Sequence, residues 1–281
     1  MKKAVIAAGL FLAVAFVYAQ ERFPFNYESP EVLQVLRDAG VDMEHPFFRQ
    51  YVEPWRELVQ IRAPIYFFES LLALGVNVEP DNLIRAISGN HLEAVEFFIG
   101  HGVYVNSEDR QRRTPLHHAA WKETPEILDF LINAGADVSL KDESGFTPLH
   151  AVFTRSGTGR IHHAEKVRIL LDNGADVNAV TPDGWTPLLM AARAFLWHPE
   201  AIQVLLSAGA DVNAVTTEGR SALMLAADNP QSHPAKIEFL LNAGADARLR
   251  DNTGRTALEW FDMNQRINRH PVRRDLMERT L

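Results

Sequence analysis

Histidine is the residue type whose spacing in this chain most suggests chemistry. His91, His163, His198 and His233 each stand eleven residues before a glycine, and His117 and His150 end two T-P-L-H runs. Imidazole can ligate a metal or relay a proton, so a ladder of this kind could serve either purpose. A zinc site, however, needs its nitrogens within about 2.0–2.1 Å of one ion. Matching positions in stacked helical units lie about 10 Å apart. The spacing therefore argues against a shared ion and leaves these histidines a structural role. His162, His163 and Glu165 form the one local cluster with a ligand-like composition, a minor alternative in which the 154–165 segment holds a metal. Ser156-Gly-Thr-Gly159-Arg160 lacks the Lys-Ser/Thr and the preceding strand of a phosphate loop, and reads as an excursion between helices. Glu93, Glu126, Glu165 and Glu200 fall near helix starts, where the helix dipole favours carboxylates. No catalytic residue, metal ligand or cofactor is assigned, and an enzyme is not expected.

The elements that would position these residues are clearest in 113–144, RTPLHHAAWKETPEILDFLINAGADVSLKDES. Thr114 can cap a helix that has Pro115 at its first position, where a missing N–H costs nothing. Leu116, Ala119 and Ala120 give a small-residue apolar face that another helix can approach closely. Pro125 opens a second helix with Ile127, Leu128, Leu131 and Ile132 at helical spacing, and Gly135 can supply its left-handed C-terminal cap. Neither helix can bury its face alone, so the unit requires neighbours.

The neighbours are present. The closing glycine recurs at Gly40, Gly75, Gly102, Gly135, Gly174, Gly209 and Gly244, with spacings of 35, 27, 33, 39, 35 and 35. The helix start recurs as Thr114-Pro-Leu-His117, Thr147-Pro-Leu-His150, Thr186-Pro-Leu-Leu189, Ser221-Ala-Leu-Met224 and Thr256-Ala-Leu-Glu259. A period near 33 with T-P-L-H at the first helix and G-A-D-V-N after the second resembles the ankyrin repeat. The fold that this implies is an all-α solenoid of stacked helix-turn-helix units joined by β-hairpin-like loops. The expected organisation is a leader and degenerate N-terminal cap over 20–63, repeats over 64–254, and C-terminal cap helices over 255–281. Asp81 is expected to cap the helix of the shortened repeat, and Arg112 stands where later repeats carry Gly145, Gly184, Gly219 and Gly254. Six extra residues fall between the helices of the repeat that ends at Gly174.

The resemblance also implies where a partner would sit. In ankyrin proteins the hairpin tips and the ends of the first helices line a concave binding face. The tip residues after the hairpin glycine are Phe146, Trp185, Arg220 and Arg255, with Arg113 in the matching place. The helix ends offer Trp121, Lys122, Arg155 and Arg193. Trp121, Phe146 and Trp185 are therefore expected to gather on that face, edged by arginines. Trp, Tyr and Arg dominate binding hot spots because they desolvate a large area at low entropic cost. The expected role is a non-enzymatic interaction module with a protein partner. The same resemblance leaves open an exported effector acting on host proteins and an oxidative-stress accessory protein.

Composition narrows the partners. The chain has 281 residues, no cysteine, and a formal net charge of -8 with a pI near 5.8. Disulfides and thiol chemistry are excluded, and the basic stripe of a nucleic-acid binder is absent. Residues 1–19, MKKAVIAAGLFLAVAFVYA, begin with Lys2 and Lys3, continue with a 14-residue apolar run from Ala4 to Val17, and end Val17-Tyr18-Ala19. The run is short for a bilayer span of about 20 residues. It reads as a bacterial signal peptide cleaved before Gln20, with an uncleaved anchor as the alternative. A periplasmic or secreted monomer without stable membrane insertion is the expectation.

Overall fold

The computed structural model describes residues 68, 69, 72, 78–122, 125–154, 162–194, 199–229, 235–263 and 272–280. The signal-peptide, leader and N-terminal cap expectations lie outside them. The chain divides into two compact units, 1–103 and 104–281.

In the first unit, α1 (Pro80–Ser88) packs against α2 (Leu92–Gly100). The cap of α1 differs from expectation. Glu79, not Asp81, is the N-cap, and its amide donates to Asn82 Oδ1 at 2.8 Å in a capping box. Pro80 takes the first helical position and moves the helix start ahead of Asp81, which instead lies in the first turn. Leu83, Ile87, Val95 and Phe98 are fully buried, and Phe68 packs edge-on against Phe98 with ring centroids 5.7 Å apart.

The second unit repeats a helix pair. Its elements are α3 (Pro115–Ala120), α4 (Glu126–Asn133), α5 (Pro148–Ala151), α6 (His163–Asp172), α7 (Pro187–Arg193) and α8 (Pro199–Ser207). They continue with α9 (Ala222–Asp228), α10 (Ala235–Asn242), α11 (Ala257–Met263) and α12 (Val272–Thr280). The first helices stack in the order α3, α5, α7, α9, α11, and the second helices α4, α6 and α8 stack likewise. Alanines make the first row possible: Ala119, Ala120, Ala192, Ala226 and Ala227 have no exposed area. Between the rows lie Leu116, Leu128, Leu131, Leu149, Leu170, Leu205, Leu223 and Leu240, all fully buried. Each such leucine contributes about 1.5–3 kcal/mol of burial free energy. α12 closes the stack against α10 and α11, with Val272 and Leu276 buried. The architecture is an all-α solenoid. Among the described residues no helix is long and apolar enough to cross a membrane.

Two devices shape the passage from one repeat to the next, the first within a repeat and the second between repeats. At the helix ends, Gly135, Gly174, Gly209 and Gly244 take φ between 87° and 93°, which a side chain would strain. The following amide then reaches back to the last buried turn, as in Ala136 N to Leu131 O at 2.9 Å. Beyond the glycine, an asparagine of the preceding repeat reads the bend. Asn178 donates to Gly209 O and accepts from Asp211 N, both at 2.9 Å, and Asn106, two repeats before, and Asn213, one repeat after, do the same. Ser139, at the matching place, bonds only its own Asp137.

Candidate functional site

Each hairpin closes on a residue five before the helix cap. Asp142 accepts the amides of Ser144 and Phe146 at 2.9 Å, and Asp109 and Asp251 close their loops in the same way. In the two intervening loops Thr181 and Thr216 use a hydroxyl to accept the tip amides of Trp185 and Arg220. Gly145, Gly184 and Gly219 are required by contact as well as by φ, and Gly254 by φ alone. A Cβ on Gly184 would sit 2.8 Å from the backbone nitrogen of Thr217 in the next hairpin. Arg112 adopts φ 57° at this position, so a side chain there carries left-handed strain.

The T-P-L-H histidines belong to this frame. The Thr114 amide donates to His117 Nδ1 at 3.1 Å, so Nδ1 is the acceptor nitrogen and Nε2 carries the proton. His117 Nε2 then donates to Phe146 O at 2.9 Å, one repeat onward. His150 repeats the pattern, taking the Thr147 amide at 3.2 Å and donating to Trp185 O at 3.1 Å. Each histidine thus fixes the backbone of the next tip aromatic. Burial lowers both pKa values, that of His150 to about 4, and keeps the imidazoles neutral. His91 does a smaller job, capping α2 through Ala94 N. His198 and His233 lie outside the described residues. His162 Nδ1 pairs with Glu165 Oε2 at 2.8 Å, while His163 lies near the Phe153 ring. Among the described residues no three metal-ligating side chains gather.

The tip and helix-end residues are brought together by one rule. The residue before the cap meets the residue seven after it, within the same repeat. Arg113 lies over the Trp121 ring at 4.8 Å, Arg193 over Trp185 at 5.1 Å, and Arg220 donates to Asp228 Oδ2 at 2.8 Å. Around the first pair, Asp109 Oδ2 takes Arg113 Nε at 3.1 Å and His118 Nε2 at 3.0 Å, and the His118 ring meets Trp121 edge-on. Hydrogen bonds from Arg113, Gln111 and His118 hold the Asp109 carboxyl below its ordinary pKa against the effect of burial. Phe146 instead packs on His150, with centroids 5.7 Å apart. Trp121, Phe146 and Trp185 therefore sit in separate pairs, and no ring contact joins the three. Arg155 lies outside the described residues.

Two contributors were not anticipated. Trp260 stands where His118 does, four residues after its cap, and likewise donates to the hairpin aspartate, Asp251 Oδ2, at 2.8 Å. Its ring lies 4.3 Å from the Arg220 guanidinium and 5.1 Å from that of Arg255. The spacing to Asp251 could have revealed it, because Asp109 and His118 share that interval of nine. The second contributor is a pair of buried lysines. Lys166 Nζ donates to Ala120 O at 2.7 Å and Lys122 O at 2.6 Å, bracketing Trp121. Lys236 Nζ donates to Ala192 O at 3.1 Å and Ala194 O at 2.6 Å, bracketing Arg193. Each ammonium, sent from the second helix of the next repeat, caps the carbonyl end of a first helix, where the dipole favours a cation. Burial pushes the Lys236 pKa down to about 8, which leaves the ammonium dominant at neutral pH.

This arrangement offers paired cations and aromatic rings on rigid supports. Its hydroxyl–imidazole pairs, Thr114 with His117 at 2.8 Å and Thr147 with His150 at 2.9 Å, are buried in the helix caps. Comparison with known proteins agrees with such a scaffold. The family model for ankyrin repeats, three copies, matches residues 65–142, 122–216 and 198–261. Ankyrin repeat and SOCS box protein 6 of Homo sapiens is 42% identical over 106 residues, covering 36% of this chain and 24% of that protein. Its Pongo abelii counterpart is 41% identical over 106 residues, with the same coverage. The chain thus spans about a quarter of the length of these curated relatives. Repeat period, stacked helix pairs and family match coincide over most of the molecule, and the chain belongs to the ankyrin-repeat family.

Proposed function

We propose that this protein is an exported, non-enzymatic scaffold that holds a protein partner on the face built from its hairpin tips and first-helix ends. The observation that supports this most directly is the pairing of Arg113 with Trp121 and of Trp185 with Arg193. Cation–π stacking holds these hot-spot residue types in one geometry before any partner arrives, so little side-chain entropy opposes binding. The backbone is fixed as well, under Trp185 by His150 and beside Trp121 and Arg193 by the two buried lysines. Export rests on residues 1–19, whose charge, apolar length and small-residue end suit a signal peptide.

Affinity capture tests the binding role. The bait is the chain from Gln20 onward, run beside a Trp121/Phe146/Trp185 triple-alanine variant and beside Arg193→Ala. Trp185 also packs against the buried cluster of the later repeats, so its loss costs stability, whereas Arg193 is exposed and can be removed cleanly. A protein retained by the parent and lost from both variants supports the reading. A protein retained equally by all three places the partner surface elsewhere. Export is tested separately by N-terminal sequencing of protein recovered outside the cytoplasm, which should begin at Gln20.

A further inference from the structure

The ten positions of the tip and helix-end stripe, from the repeat capped by Thr114 to the repeat capped by Thr256, carry a charge that the rest of the chain does not. They hold four arginines, Arg113, Arg193, Arg220 and Arg255, against a single carboxylate, Asp228, in a chain of formal net charge -8. Two of the arginines are already neutralised. Arg113 is paired with Asp109 at 3.1 Å and Arg220 with Asp228 at 2.8 Å. Among the described residues no carboxylate lies within ion-pair distance of Arg193 or Arg255, although the exposed Glu259, which pairs with Arg250 at 3.6 Å, also feels the charge of Arg255. Arg193 is exposed and rests on Trp185, while Arg255 is half-buried beside Trp260 with a hydroxyl contact to Thr253 at 3.4 Å.

Building on the reading of this face as the partner surface, we propose that it docks an acidic segment of the partner, with Asp or Glu carboxylates seated on Arg193 and Arg255. A guanidinium that lies over an indole keeps its N–H edge available, and that planar fork matches a carboxylate bidentately. The stacked ring has already removed part of the water from the cation and restricted its rotamers. A carboxylate arriving there meets a donor of fixed direction. The outer hairpin positions sharpen the register, because Glu143, Asp183 and Glu218 stand there and repel a partner acid that misses the inner stripe. Arg193 and Arg255 sit two repeats apart, about 20 Å at the usual helix packing distance. An extended peptide advances about 3.3 Å per residue. The partner's two acidic positions should therefore be about six residues apart.

The experiment is a display selection of random dodecapeptides on the immobilised full chain, repeated with Arg193→Gln, with Arg193→Gln/Arg255→Gln, and with the Trp121/Phe146/Trp185 triple-alanine variant. Melting of each variant is checked alongside, and Arg193→Gln alone alters only an exposed side chain. The expected result is a pool enriched in paired Asp/Glu about six residues apart. Its binding should fall about tenfold or more on the double glutamine variant and by a smaller factor on Arg193→Gln. A pool without acidic bias that is lost on the triple variant would overturn the acidic-partner proposal while leaving the partner face intact. An acidic pool that binds the arginine variants undiminished, or no enriched pool, also overturns the proposal; an enriched pool indifferent to every variant counts against the face itself.

Discussion

Arg220 donates to Asp228, eight residues along its own repeat, at 2.8 Å. The same eight-residue step places Arg113 against Trp121 and Trp185 against Arg193. One geometric slot is thus filled with an ion pair in one repeat and with a cation–π pair, in either order, in two others. Because Arg220 is also stacked on Trp260 of the next repeat, its guanidinium ties two repeats together. The Arg220 side chain keeps only 17% of its exposure, so this pair is less screened than an open surface bridge. A double-mutant cycle with Arg220→Ala and Asp228→Ala, read by urea unfolding, should give a coupling of about 0.5–2 kcal/mol. Strict additivity would remove the assigned link.

His150 makes the stability of this protein pH-dependent. Burial lowers its pKa from 6.5 to about 4, so the unfolded chain takes up a proton before the folded one does. Its contribution is complete above pH 6.5 and is lost as pH falls toward 4, amounting to about 3 kcal/mol over that window. His117 shifts in the same direction. His150→Leu introduces the residue that the next repeat uses at its matching place, Leu189. Its unfolding free energy should fall less steeply between pH 6.5 and 4 than that of the parent. Parallel pH profiles would contradict the assignment.

Lys236→Met keeps the length of the side chain but leaves Ala192 O and Ala194 O without their donor. Unpaired buried acceptors cost about 1–3 kcal/mol, and relief of the ammonium's desolvation returns part of this. A net loss of about 1–2 kcal/mol is expected in denaturant unfolding. Faster amide hydrogen exchange around Arg193 should accompany it, because that helix end loses its cap. Unchanged exchange there would show that the lysine does not hold the helix end.

The two kinds of hairpin turn should respond oppositely to substitution. Arg112→Gly relieves a left-handed side chain and gives up only an exposed pair with Glu108 at 3.3 Å, so a gain of about 0.5–1 kcal/mol is expected. Gly184→Ala drives a Cβ to 2.8 Å from Thr217 N and should cost about 2 kcal/mol or more. Thermal melts of both variants decide the matter. A destabilised Arg112→Gly would mean that the Glu108 pair outweighs the backbone strain.

The sequence by itself determined the repeat. Closing glycines, proline-led helix starts and small apolar faces are local requirements, each satisfied within a few residues, and they recur at an interval that only stacking can satisfy. The T-P-L-H histidines were legible for the same reason, since their role follows from the motif. At α1 local reasoning failed, because a capping box between Glu79 and Asn82 competed with Asp81 for the helix start. Tertiary structure alone decided which tip meets which helix end, and that Trp121, Phe146 and Trp185 occupy separate pairs. The eight-residue step recurs in sequence, but only the direction in which each hairpin leaves the stack shows that it brings the two side chains together. The buried lysines were invisible for a further reason. Lys166 and Lys236 look like solvent-facing charges in sequence, and only the docking of one repeat on the preceding one places a helix's last carbonyls in front of each ammonium.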